Sequence, residues 1–595
     1  MENENIVKTK RQLVVFFGAL VFVVLYGLSW LKWGDLYVDS FRDQYIISRV
    51  LDGSVLYKDV VYLYGFFPIS LLILANVFLV NNLFATIFVC TLCSICTITV
   101  FYRICRLVFD RGISCCATIL FITAFIFNAL SMIFNYILPY SSASVFFIMF
   151  ALLGIYSAGK VLISGKKKYR HFLSLSLAFS CFCRLDMGIL LMSGVFVFGV
   201  FQFFQHRNKS FIKDVLKAVL FTVIGYVGFL LYIGSLKEFI DYFIQNISWQ
   251  KNGDGAVFER NILGLNFLGF HLKYMIVFSF IQVFSAYTIA MLAKKFEQKT
   301  NIITRVFLST LFVLYLVVLG FYLVPRINMF FMAVPLLMVF VGLWFMMKIK
   351  NKETFDVQQN FLCLVFIVSS MFWLRIGVRP VINSYFFYLG VPSLFVMMIV
   401  LFKLLPERIM GESKRNNAAF RAFVCIYLIL ISACFSFMNL TIYSKKEAEI
   451  ITLKGVVKQG IDARTAVFVE AVEYLKKHTS KEDSVLVLPE GYGIYFFSDR
   501  MNALKDHIFL PLLVFFKGED VIIQEISENK IDYIVLVYGR EAEEYGASFW
   551  GVDYAQKIDT WIHANYSSEM FSGRNRNDKT RPGIEIFKLI PKENM

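Results

Sequence analysis

The sequence predicts a membrane all-α polytopic bundle of about 13 transmembrane helices, followed by a C-terminal extracytoplasmic α/β domain. Three observations predict it. Of 595 residues, 58% are hydrophobic and 17% charged, and the mean hydropathy is +0.65, outside the range of soluble globular proteins. Apolar runs of about 20 residues follow one another, separated by short clusters of Lys and Arg. After residue 444 the composition changes to short β-rich runs alternating with amphipathic ones. The 59 basic against 43 acidic residues leave a net charge of +16, gathered in short loops. That is the charge signature of cytoplasmic loops, and it argues against a nucleic-acid partner.

The first crossing, 13–33, follows Lys8, Lys10 and Arg11 with no small-residue cleavage site, so it reads as a retained helix with a cytoplasmic N-terminus. The first outer loop, 34–67, is rich in Asp: Asp35, Asp39, Asp43, Asp52 and Asp59. Pro68–Val80 is too short to span and is expected to lie on the outer surface, because the next run, 83–102, must end at the basic Arg103, Arg106 and Arg111. Further crossings fit at 112–130 and 141–159, and the stretch 172–204 leaves and returns, broken by Arg184-Leu185-Asp186. Crossings at 215–234, 272–293, 306–324, 327–346, 359–374, 385–402 and 419–440 complete an odd number, which puts residues 445–595 outside and divides the chain into 1–444 and 445–595. In the second part 484–489, 532–538 and 584–590 read as buried strands, and 465–478, 519–529 and 553–566 as helices.

The 11 cysteines lie between Cys90 and Cys434, within or beside apolar runs, so no disulfide framework is expected. Cys90, Cys93 and Cys96 have metal-like spacing but sit in an uncharged apolar helix, where packing is the better reading. There is no P-loop, zinc-protease motif or Gly-rich dinucleotide turn, and His478, His507 and His563 are scattered.

Ionisable residues near a membrane surface are costly unless paired or used. Asp39 and Asp43 are four apart and would share a helix face, with Arg42 and Tyr45 beside them, and such a carboxylate can act as a general base towards a hydroxyl. The competing reading is that these acids solvate the loop or pair with Arg42, Arg49 and Lys58. Arg326, Arg375 and Arg379 fall between outer helix ends, with Arg184 below them, against the usual charge bias. Guanidinium groups there suit the phosphate of a lipid; the alternative is snorkelling to headgroups, or Arg184 paired with Asp186.

DSFRDQY (39–45), LDGSVLYKDVVYLYG (51–65) and Pro68 together resemble the opening of bacterial polytopic glycosyltransferases of the GT-C type, the superfamily of protein O-mannosyltransferases and aminoarabinose transferases. The matching positions are Asp39, Arg42, Asp43, Tyr45, Gly53, Tyr57, Asp59 and Pro68. RLDMG (184–188) resembles the basic-x-acidic element of these enzymes, and LPEG (488–491), SDR (498–500), EYGASFWGVDY (544–554) and WIHANY (561–566) resemble the outer domain of an uncharacterised branch. Two departures stand out: Phe66 and Phe67 precede a single proline where the aminoarabinose branch has Lys before paired prolines, and Arg184-Leu185-Asp186 replaces Lys-Pro-Glu.

The resemblance implies transfer of a sugar from a polyprenyl-phosphate donor to a lipid, glycan or protein acceptor at the outer face of the cytoplasmic membrane, with inversion at the anomeric carbon. By carry-over Asp39 is the base, with Asp43 as helper or substitute, and Arg184, Arg326, Arg375 and Arg379 hold the donor phosphate. Arg42, Tyr45, Tyr57, Asp59 and Asp186 support the loop. No cofactor is required, although an acidic loop is compatible with a divalent ion. A flippase or transporter of lipid-linked sugars would place polar residues at mid-membrane rather than at one edge; a saccharide polymerase or ligase shares the outer location, and the Asp39 motif is what separates the transferase from it.

Overall fold

The computed structural model describes residues 17–79, 82–248, 253–298, 301–411, 418–539, 543–547, 549–573 and 583–591. Lys8, Lys10 and Arg11 fall outside them. Each segment expected to cross the membrane coincides with a helix, from Phe17–Leu28 and Asn82–Cys105 to Val357–Ile376 and Ala418–Tyr443. Among the described residues, eight helical stretches are long and apolar enough to span by length and composition alone. One of these, Ile302–Lys350, holds two helices joined through the bent segment Val324–Ala333, where Pro325 precedes a non-helical Arg326. Shorter members reach their length through wider turns: Arg111–Phe121 continues through Ile122–Ile126, and Val391–Ile399 through Val400–Leu404.

Phe66–Leu79 is helical and packs on Asn82–Cys105, Ser142–Ser164 and Lys167–Cys183, so it belongs to the bundle rather than lying apart on its surface. Its inner face buries Pro68, Ile69, Leu72 and Asn76, while Leu74, Val77 and Phe78 point outward. Residues between the crossings at 215–234 and 272–293 form two further helices, Leu236–Ser248 and Gly253–Ile262.

After the last long helix, β1 (Lys446–Thr452) and β2 (Gly455–Gly460) pair as an antiparallel hairpin that the sequence reading did not anticipate. Helix Ala463–His478 then leads to a four-stranded sheet in the order β3-β4-β6-β5: β3 (Val485–Leu488) runs parallel to β4 (Tyr533–Tyr538), and β6 (Gly583–Leu589) lies antiparallel to β4 and to β5 (Tyr566–Gly573). Both faces of the sheet are covered, which explains the unbroken apolar runs. Val485, Val487, Val535, Val537, Ile584 and Ile586 join one apolar core continuous with the membrane helices. Leu486, Leu488, Ile534, Leu536 and Phe587 form a second core beneath Glu519–Glu528 and Gln556–Asn565. The alternation of one strand thus divides its side chains between the core shared with the membrane part and the core of the C-terminal unit.

Two glycines set the outer loop between these parts. A Cβ at Gly65 would lie 2.1 Å from the Phe182 carbonyl oxygen, and the Gly65 N–H donates to the Cys183 carbonyl at 3.0 Å, so the loop crosses the break before Arg184. At Gly493 a Cβ would sit 1.9 Å from the Leu36 carbonyl oxygen, and only glycine lets helix Tyr492–Ser498 approach the loop that closely. Phe41 packs on Phe496 and Phe497, and Tyr45 stacks on Tyr495 at 4.8 Å.

Lys446 fastens the start of that loop. It is 2% exposed, and its Nζ donates to the carbonyls of Lys32 at 2.7 Å and Gly34 at 3.1 Å. Burial lowers its pKa to about 8, and Arg464 adds to this, against the pull of Asp35. The unfolded chain therefore binds more protons than the folded one between about pH 8 and the ordinary lysine value of 10.5, and stability rises with pH across that window. Thermal unfolding in detergent should show a gain there of at most about 3 kcal/mol, and Lys446→Met should lack it; an unchanged slope would mean that Lys446 is not the group titrating.

Candidate active site

A cavity of about 450 Å³ lies where the outer loop, the ends of several membrane helices and the C-terminal unit meet. Among the described residues, eight charged ones line it: Asp39, Arg42, Arg184, Asp186, Glu259, Arg375, Arg379 and Glu490. Leu63, Ile133, Phe134, Ile262, Leu510 and Leu513 contribute apolar wall. The cavity is therefore amphipathic, with cations and anions matched in number.

Asp39 does not share a helix face with Asp43, because helix Arg42–Leu51 begins three residues after it. It occupies the left-handed region, φ 51°, which aspartate tolerates better than most residues. Its N–H donates to Glu490 Oε1 at 3.3 Å, so the LPEG segment of the C-terminal unit touches its backbone directly. Arg42 Nη1 pairs with Asp39 Oδ1 at 2.5 Å. Burial raises the Asp39 pKa, and the charges of Asp43 and Asp35 add to the effect against the lowering pull of Arg42. Asp35 behaves oppositely: burial would raise it, but the Arg464 guanidinium and the N–H groups of Tyr37 and Val38 hold it below the usual range. The pKa values of two neighbouring carboxyls in one loop are thus driven apart, Asp39 upward and Asp35 downward.

Asp43 is placed otherwise. It is not among the residues lining the cavity, and its Oδ2 accepts from the N–H of Ser142 at 2.9 Å and from the Ser142 hydroxyl at 2.6 Å. It thereby satisfies the first turn of helix Ser142–Ser164. Tyr45 accepts the Asn502 N–H at 3.1 Å and joins the loop helix to the C-terminal unit. The Tyr57 hydroxyl donates to the Tyr64 carbonyl at 2.8 Å, and Asp59 caps the Val55 N–H at 2.7 Å.

Arg184 sits at the break between Lys167–Cys183 and Leu185–His206. Its Nη1 donates to the hydroxyls of Tyr140 at 2.9 Å, Tyr388 at 3.0 Å and Ser144 at 3.2 Å, and its Nη2 pairs with Asp186 at 2.9 Å. Tyr64 lies between two cations: Arg42 is 4.8 Å and Arg184 5.0 Å from its ring centroid, and Arg42 Nη2 also donates to its hydroxyl at 3.0 Å. A continuous polar chain thus runs from Asp39 through Arg42, Tyr64 and Arg184 to Asp186.

Arg375 is held by both oxygens of Glu259 and lies over the Tyr385 ring at 5.2 Å. Arg379 has one long hydrogen bond, to the Asn261 carbonyl at 3.4 Å, and no carboxylate partner among the described residues. Arg326 is not among the residues lining the cavity; it donates to the Tyr322 carbonyl at 3.3 Å and rests on the Tyr322 ring at 4.7 Å.

Sequence reasoning did not single out Glu259, Glu490, Tyr64, Tyr140, Tyr385 and Tyr388. Glu490 and Tyr64 lie inside quoted motifs, and Glu259 is the acid that follows an aromatic in an otherwise unremarked connection. His507 is buried against the Tyr45 ring at 5.2 Å, and burial, with Arg49 nearby, drives its pKa down to about 3, so it stays neutral. No three His, Cys, Asp or Glu side chains cluster to hold a metal ion among the described residues.

No family model and no curated protein matches the chain. Among solved structures it is similar to ArnT from Cupriavidus metallidurans bound to undecaprenyl phosphate, at 11% identity and a TM-score of 0.49, over 97% of this chain and 98% of that one. It is also similar to the Archaeoglobus fulgidus oligosaccharyltransferase: in the apo form, at 12% identity and a TM-score of 0.49 over 95% of this chain and 76% of that one, and in complex with Zn and sulfate, at 12% and 0.48 over 88% and 67%.

Proposed function

We propose that the chain is a membrane glycosyltransferase that moves a sugar from a polyprenyl-phosphate-linked donor to an acceptor hydroxyl. The observation that carries this reading is the meeting, in one amphipathic cavity at the helix ends, of a carboxylate with a raised pKa and four guanidinium groups, those of Arg42, Arg184, Arg375 and Arg379. Asp39 takes the acceptor hydroxyl proton as the acceptor oxygen attacks the anomeric carbon. The bond from that carbon to the phosphate oxygen breaks on the opposite side of the sugar, inverting its configuration, and the electron pair leaves with the polyprenyl phosphate. Arg379, with unused donors, and Arg184 and Arg375, with donors shared with carboxylates, stabilise the growing phosphate charge, the part a divalent ion plays in other transferases. The apolar wall accepts the first units of the lipid. Asp43 and Arg326 have no part in this scheme, because other groups engage them away from the cavity.

The membrane part, 1–444, supplies the base and the phosphate cradle, and 445–595 closes the cavity from outside. Charge supports that orientation. The helix ends remote from the cavity carry Arg103, Arg106, Lys167, Lys168, Arg207 and Lys350, as cytoplasmic ends do, which supports a cavity on the outer face of the cytoplasmic membrane.

Asp39→Asn should keep the fold, because its oxygen can still meet Arg42, yet lower transfer from a purified polyprenyl-phosphate sugar by at least about 100-fold. In the wild type the rate should fall as pH drops through a value above the ordinary aspartate range. Wild-type turnover by the mutant would remove Asp39 from the role of base. Arg379→Gln should raise the KM for the lipid-phosphate donor about 10-fold or more, with a thermal midpoint like that of the wild type, and an unchanged KM would count against phosphate binding there. A phosphatase reporter fused at residue 444 should be active only outside the cytoplasm; cytoplasmic signal would invert the whole assignment.

A further inference from the structure

The β1–β2 hairpin has an outward face whose character changes along its length. Glu447, Glu449 and Ile451 alternate outward on β1, and Leu453 follows in the turn. The charged end is neutralised in part, since Glu449 pairs with Lys458 at 2.8 Å. The turn end is bare and aliphatic: Ile451 is 67% exposed and Leu453 101%. Two aliphatic side chains held out at the tip of a rigid hairpin gain nothing from water.

The position of the turn supplies the reason. The Lys454 carbonyl accepts the N–H of Leu83 at 3.4 Å, and Gly455 packs on the Leu83 side chain, at the beginning of the spanning helix Leu83–Cys105. On β2, the Lys458 N–H donates to the Leu31 carbonyl at 2.7 Å, just past the first membrane helix. Trp30 and Phe84, each next to one of these attachment points, stack at 6.2 Å and are partly exposed. A Trp–Phe pair at two helix ends marks the level of the bilayer interface. The hairpin is therefore bonded to the membrane part at that level. The charge in its turn is drawn inward: Lys454 Nζ pairs with Asp499 at 2.5 Å and lies 5.8 Å from the Phe496 ring centroid. Below the turn the same helix leaves Phe88, Leu92 and Ile95 bare, as a lipid-facing surface does.

The geometry points to the β1–β2 turn as a lipid anchor: Ile451 and Leu453 enter the headgroup–acyl boundary of the leaflet on the cavity side, extending the lipid-facing surface of helix Leu83–Cys105. The occupant is phospholipid, because the exposed face is continuous with that surface and carries no free charge in its turn. The anchor holds the C-terminal unit against the bilayer through a contact separate from the outer loop, and it stands whether or not the cavity transfers sugars.

Full-length protein with Leu453→Cys, in a Cys96→Ser background that removes the exposed native thiol, is labelled with the environment-sensitive fluorophore NBD and placed in phosphatidylglycerol–phosphatidylethanolamine vesicles. A Glu449→Cys sample serves as the water-exposed reference on the same face. The label at 453 should emit to the blue of the label at 449, lose emission to lipids brominated near the head of the acyl chain, and resist aqueous iodide. Emission and iodide quenching equal to those at 449 would overturn the anchor. So would a blue-shifted label that the brominated lipids leave untouched, since a protein surface would then be covering the turn.

Discussion

Buried at 4% exposure, the Arg42 guanidinium touches the Asp39 carboxylate, the Tyr64 hydroxyl and the Tyr140 carbonyl, and it covers the Tyr64 ring. A buried cation depends on its partners, and here those of the two Nη groups come from three separate stretches of chain, while Nε has none among the described residues. To pair Arg42, residue 39 must turn into the left-handed region, the outer loop must return to place Tyr64, and the segment before Ser142 must present a carbonyl. Arg184 lies 5.0 Å from the centroid of the same Tyr64 ring. Removing Arg42 would leave Asp39 beside Asp43 and Asp35 with no counter-charge, so the cavity owes its shape and its electrostatics to this one group.

Neutrality inside the cavity is achieved pair by pair rather than by solvent. Arg184 is matched with Asp186 and Arg375 with Glu259, each from a different connection between helices. Such pairs cost desolvation energy and return little net stability. Their effect is positional: each carboxylate fixes a guanidinium group in the cavity wall. Arg379 has no such carboxylate partner among the described residues.

The C-terminal unit is part of this arrangement rather than an appendage. Glu490 reaches the Asp39 backbone, Tyr495 stacks on Tyr45, and the apolar side of the sheet facing the membrane part is continuous with the bundle core. Phe258 of the unexpected helix Gly253–Ile262 stacks on Tyr545 at 4.5 Å, and Glu238 pairs with Lys505 at 2.5 Å. The cavity therefore has walls from both parts, and neither part alone would enclose it.

Apolar run length and basic clusters determined the helices, because a bilayer imposes length and charge on each crossing independently of its neighbours. Unbroken apolar runs determined β3, β4 and β6 for a similar local reason, whereas β1, β2 and the polar edge strand β5 carry no such run. Arginines in unexpected places pointed to Arg184, Arg375 and Arg379, which do line one cavity; the same signal pointed to Arg326, which does not, because charge in a loop says nothing of the direction a side chain takes. Asp39 and Asp43 were equivalent by spacing. Only the tertiary structure separated them, by starting the helix after Asp39 and turning Asp43 onto Ser142. Glu259, Glu490 and Tyr64 were unreadable because their partners lie tens to hundreds of residues away, and a contact of that range depends on packing that no local pattern records.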